Sequence, residues 1–101
     1  MLHACEQGHV EGVQLLLECG ARVDIFDEEG KAALHLAAEH GHYDIVAMLL
    51  RRKTFINAKT KLGLTPLHLA AQQGFDEIVL LLVNARLHER QAMVDAVTLV
   101  S

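Results

Sequence analysis

Tryptophan is absent from this chain of 101 residues, and tyrosine and proline occur once each. A compact domain of this length built around one deep core would normally use more aromatic residues. Their scarcity favours thin layers filled by Leu, Val, Ile and Ala. One proline among residues that are 51% hydrophobic leaves room for packed helices. Two cysteines, Cys5 and Cys19, are too few for a disulfide framework and imply free thiols and a cytoplasmic setting. No apolar run reaches the roughly 18–20 residues that a membrane span requires, so direct membrane insertion is not expected. No signal peptide is visible, with its charged start and small-residue cleavage site. No glycine-rich phosphate loop follows a strand, and no Ser, His and acid or pair of carboxylates is arranged for catalysis. The formal net charge of −4 argues against general nucleic-acid affinity, which needs clustered bases to displace counterions.

What the chain does have is a period. Gly8, Gly41 and Gly74 are spaced 33 residues apart, and their surroundings repeat with them. Leu34-His35-Leu36-Ala37-Ala38-Glu39-His40-Gly41 becomes Leu67-His68-Leu69-Ala70-Ala71-Gln72-Gln73-Gly74, and Met1-Leu2-His3-Ala4-Cys5-Glu6-Gln7-Gly8 occupies the same frame earlier. A fixed period between about 20 and 50 residues marks a stacked repeat architecture. Leu34, Ala37 and Ala38 fall on one face of a short helix, and small alanines let a neighbouring layer approach. Gly41 stands at the helix end, where a left-handed residue is cheapest for glycine. Ile45, Val46, Met48, Leu49 and Leu50 predict a second helix with a broad apolar face. A helix as short as the first is marginal alone and depends on burial by the next layer.

Between the helix pairs lie residues 21–30 and 54–63, read as extended fingers ending in tight turns, with Asp24, Asn57 and the terminal glycines as turn residues. Thr65 precedes Pro66, which suits the first turn of a helix. Here the run Gly63-Leu64-Thr65-Pro66-Leu67-His68-Leu69-Ala70-Ala71 resembles the ankyrin-repeat signature, and the frame agrees along nearly the whole chain. The resemblance implies an all-α repeat solenoid of about three stacked repeats, each a helix-turn-helix with a β-hairpin finger. It places partners on the fingertips and on the concave face of the first helices. It also implies that His35 and His68 hydrogen-bond backbone between neighbouring layers, and that His9 and His42 help close the helix turn. The runs 21–27, 55–59 and 93–99 further resemble stretches of the cytoplasmic ankyrin array of NompC-type (TRPN) mechanosensory channels, which implies an elastic cytoplasmic tether of an ion channel. A soluble ankyrin adaptor is the alternative.

On this frame repeat 1 covers 1–29 and is truncated at its N-terminus, repeat 2 covers 30–62, repeat 3 covers 63–95, and 96–101 begin a fourth. Neither end carries a polar cap, so the chain is expected to be a piece of a longer array. Apolar side chains such as Val13, Leu16, Val97 and Leu99 are then expected to be partly uncovered, with weak self-association through the ends. Repeat 3 is longer than the others after Leu82. The stretch 83–91 has good helix propensity, so an extended second helix is preferred over a bulged loop.

Charge is uneven. Residues 1–50 hold nine acids and two bases, whereas residues 51–101 hold seven bases and four acids. Asp24, Asp27, Glu28 and Glu29 make the first finger acidic, and Arg51, Arg52, Lys53, Lys59 and Lys61 make the second basic. That polarity reads either as a solvated surface or as a docking face. Seven histidines raise a metal-binding alternative. Their spacing matches no zinc pattern, and their repeat positions favour structural roles, so no metal or other cofactor is expected. Cys5 replaces an alanine of the motif and reads as core. The function expected is a non-enzymatic protein–protein interaction or scaffolding module, whose partner is another protein or the neighbouring repeats of a longer array. Phe26, Asp27, Glu28, Lys59 and Lys61 are expected at fingertips. Glu39, His40, Gln72 and Gln73, with Glu6 and Gln7 one period earlier, are expected on the concave helix face.

Overall fold

The computed structural model describes residues 1–52, 54 and 56–87. Within them run α1 (Leu2–Gln7), α2 (Val10–Glu18), α3 (Ala33–Glu39), α4 (Tyr43–Arg51) and α5 (Pro66–Gln73), followed by α6 over residues 76–87. The helices pair as α1 with α2 and α3 with α4. The pairs stack: α3 packs against both α1 and α5, and α2 packs against α4. The period in the sequence is therefore a layer of the fold.

Each helix-to-helix turn is built alike. The amide after the glycine reaches back to a carbonyl of the first helix: His9 to Ala4 at 3.0 Å, His42 to Ala37 at 2.9 Å, and Phe75 to Ala70 at 3.0 Å. The glycine must be left-handed for this, and Gly8 and Gly41 both have φ 77°. A second constraint acts at the same two positions. A Cβ on Gly8 would meet the His42 ring at 2.6 Å, and one on Gly41 would meet the Phe75 ring at 2.9 Å. A flat side chain from one layer thus lies over the turn of the layer before it.

The fingers are held by their tips. Asp27 N–H donates to Lys31 O at 2.9 Å, and its Oδ1 accepts from the amides of Glu29 and Lys31 at 2.9 and 2.8 Å. One period later Thr60 does the same work: its N–H donates to Leu64 O at 2.9 Å, and its Oγ1 accepts from the amides of Leu62 and Leu64 at 3.2 Å each. Aspartate and threonine are interchangeable there because each places an oxygen over its own turn. Lys61 N–H also donates to Glu29 O at 3.0 Å, joining the two fingertips. Extended pairing is minimal. Among the described residues the finger contributes a single isolated antiparallel bridge, Phe26 with Ala32, where a full hairpin was expected. The side-chain oxygens of Asp27 and Thr60 hold the turns in place of a ladder.

Burial separates two faces of each layer. Leu16, Leu49 and Leu82 share one repeat position, yet Leu16 is 36% exposed while Leu49 and Leu82 are sealed. That position faces the preceding layer. Cys5, Ala38 and Ala71 face the following one: the first two are buried and Ala71 is exposed. Val13 corrects an expectation. It is fully buried, because like Val46 it points toward the following layer, and only Leu16 of that pair is uncovered. Val97 and Leu99 lie outside the described residues, as do Lys53, Phe55 and the segment 88–101. The helical stretch of the third layer passes Asn84, the counterpart of the last residue of α4, and continues to Leu87. Residues 83–87 are thus helix, and 88–91 lie outside the described set.

Candidate functional site

The first helices and the fingertips share one open face. At its centre stands Lys31, which composition and motif did not single out. Its ammonium lies 2.8 Å from Glu39 Oε2 and 3.1 Å from Glu29 Oε2. The Glu39 hydrogen bond comes first among the causes that raise the Lys31 pKa above its ordinary value, with Glu29 adding to it. The signal available in sequence was the repeat frame, in which Lys31 takes the place of Leu64. A cation at a position otherwise apolar needs an acid nearby, and Glu39 supplies it from the helix face.

The other expected site residues fall into two groups. Glu28, Glu39, Lys61 and Gln72 line a groove of about 480 Å³ between the fingers and the α3–α5 surface, together with Leu62, Leu64 and Leu69. Asp27, Glu28, Glu39 and His40 line a neighbouring groove of about 410 Å³, with Glu6 and Leu36. Phe26, Lys59 and Gln73 are exposed but line neither groove. Two residues differ in character from their expected places. Asp27 is half-buried, because its carboxylate is engaged in the fingertip turn. Glu39 is half-buried where its counterpart Gln72 is exposed, because Lys31 draws its carboxylate against the finger. At the base of the first finger Arg22 meets Asp24 through two contacts of 3.0 and 3.1 Å, and that hydrogen bonding holds the Asp24 carboxyl below its usual range.

Among the described residues His35, His42 and His68 have structural roles. His35 is buried, with Nδ1 accepting from Ala32 N–H at 3.1 Å and Nε2 set against the carbonyls of Ala58 at 2.8 Å and Leu64 at 3.2 Å. That pattern fixes a neutral ring with its proton on Nε2, and burial lowers its pKa. It ties α3 to the next finger. His68 repeats half of the arrangement: its Nδ1 accepts from Thr65 N–H at 3.0 Å, while Thr65 Oγ1 caps α5 by accepting from His68 N–H at 3.3 Å. His42 does more than close its own turn. Its Nε2 lies 2.9 Å from Glu6 O, so the ring bridges to the preceding layer. Among the described residues no three His, Cys, Asp or Glu side chains converge as a metal site. Cys5 is buried, and burial pushes its thiol up to about 11, which makes it a poor nucleophile.

Stacked helix pairs joined by hydrogen-bonded fingers, with a variable open face, find their match in two family models. Residues 1–60 match the model for ankyrin repeats in three copies, and residues 62–92 match that for a single ankyrin repeat. The chain belongs to the ankyrin-repeat family. No curated protein matches it beyond the level expected by chance. As an ankyrin-repeat chain it is a protein–protein interaction module. Among the described residues no helix is long and apolar enough to cross a membrane. The ankyrin frame also explains the positions of His35 and His42: they hold layers together, while the concave face is left to side chains that differ from repeat to repeat.

Proposed function

We propose that the chain docks a protein partner on its concave face, with Phe26, Asp27, Glu28, Glu39, His40, Lys59, Lys61, Gln72 and Gln73 as the contacting set. One observation carries this reading. Six of these nine positions, Asp27, Glu28, Glu39, His40, Lys61 and Gln72, gather along two adjoining grooves, while the constant Leu34, His35, Ala37 and Ala38 of the central layer are buried. Asp27 contributes mainly by shaping the fingertip. The module works by binding and scaffolding rather than catalysis, and its free thiols fit a cytoplasmic setting. Cross-linking capture with the intact chain tests the surface. Gln72→Arg on the concave side should remove captured partners that Glu18→Arg, on the outer side of α2, leaves in place. The reverse pattern would refute it.

A finer reading places the module in a longer array, as in the elastic cytoplasmic tether of a TRPN-type channel. Its support is the likeness of the finger runs to such arrays, together with the uncovered Leu16, at a position that an adjacent layer seals in the second and third layers. A soluble adaptor with the same repeats is the competing form. Appending a polar capping repeat ahead of α1 should raise the melting temperature and suppress weak self-association in sedimentation. A strict monomer, unchanged by the cap, would count against the array.

A further inference from the structure

The larger groove has unlike walls. One side is aliphatic, made by Leu62, Leu64 and Leu69. Leu62 is 86% exposed, at a fingertip position that holds Glu29 in the finger before. The turn does not need leucine, since the Thr60 hydroxyl and backbone hold it. The other side is acidic: Glu28, Glu29 and Glu39 stand there. Lys31 gives one positive charge to two of these carboxylates. Glu28 makes no ion pair among the described residues. Lys61 is the groove's other cation, and the adjoining groove adds Glu6 and Asp27 but no further lysine. The face therefore carries a net negative field beside an aliphatic wall in which Leu62 is exposed, Leu64 half-buried and Leu69 buried at its base.

We propose that this groove takes an extended protein segment in which a large aliphatic side chain stands beside a lysine or arginine. The aliphatic group seats on Leu62, Leu64 and Leu69, and the cation turns toward Glu28 and the Lys31-bridged carboxylates. This rests on the concave-face reading and adds the chemistry of the partner to it. An acidic segment would meet charge of its own sign. A wholly apolar one would strip water from Glu28 and return no partner, which is costly for a carboxylate.

The test selects a random peptide library, displayed on phage, against the intact chain and measures the winners by fluorescence polarisation. Selected peptides should carry Lys or Arg within two residues of Leu, Ile, Met or Phe. Glu28→Lys should weaken them by about fivefold, the scale of an exposed charge pair. Leu62→Ser should weaken them by about tenfold or more through lost apolar burial. Both side chains are exposed, so both variants should retain their helical signal and melting temperature. Affinity should also fall as salt rises from about 50 to about 300 mM. Failure to enrich any peptide, or winners without a cation, overturns the proposal. So do cationic winners unmoved by either substitution. Neutral or acidic winners that Gln72→Arg abolishes would sink this inference and leave the concave-face reading standing. Winners indifferent to every concave substitution would sink both.

Discussion

Leu16, Leu49 and Leu62 allow one side chain to be priced in three environments of the same molecule. Leu16 and Leu49 occupy the same repeat position, but only Leu49 has a layer packed over it. Truncating Leu49 to alanine removes a fully sealed side chain from a site walled by helices on several sides. The loss combines transfer free energy with a cavity that collapses only in part, about 3–4 kcal/mol within the usual range for such sites. At Leu16, 36% exposed, some of the transfer term is already forfeited, and the vacated space opens to solvent and forms no cavity. About 1 kcal/mol is expected there. Leu62→Ala, at 86% exposure, should be close to neutral. Urea unfolding followed by circular dichroism reads the series directly. With a slope of about 1.5 kcal/mol per molar urea, the Leu49 variant should lose about 2 M in midpoint and the Leu16 variant less than about 1 M. Equal shifts for Leu16 and Leu49 would refute the assignment of that position to the inter-layer face.

Three further outcomes are expected. Because the His35 pKa is lowered in the folded chain, the unfolded chain binds the proton first as pH falls; stability should be full above about 6.5 and decline below it, measured as urea midpoints across pH, with His35→Gln flattening the dependence. Cys19 is exposed and should react with a thiol reagent in the native protein, whereas buried Cys5 should wait for unfolding, so that two-thiol reactivity without denaturant would contradict the packing of α1 on α3. Gly41→Ala should cost more than Gly63→Ala in melting experiments: both have positive φ, worth about 1 kcal/mol of strain, but only at Gly41 does the new methyl strike a ring, at 2.9 Å, while nothing lies within 4 Å at Gly63.

The parts of this fold that were legible in the sequence are those that repeat. The frame of Leu34, Ala37, Ala38 and Gly41 marked the first helix and its turn because burial against two neighbours demands the same small residues in every layer. Leu49 and Leu82 were legible as core for the same reason. Val13 was misplaced because periodicity shows that a position is apolar but not which neighbour it faces. Only the exposure of Leu16, against its sealed counterparts, separates the two sides. The site was less legible. Lys31 was passed over because its role depends on Glu39 arriving from a different element, and no local pattern announces that meeting. Leu62 was hidden in a turn whose requirements are met by Thr60 and Gly63, so its own identity carried no structural signal. The inter-layer bond of His42 was read as local because its partner, Glu6 O, belongs to the layer before.

The rings of His42 and Phe75 lie over glycines that precede them by one residue more than a full period. Seat and ring therefore never belong to the same repeat unit. Copying a single unit within the gene creates one new seat and one new ring together, and every junction in the lengthened chain remains matched. The seat asks only for a flat group, which is why an imidazole serves at one junction and a phenyl at the next. Such an array can gain or lose whole units by recombination at any point of the frame without a mismatched joint. A shift of even one residue between seat and ring would leave a glycine uncovered and a ring without its place.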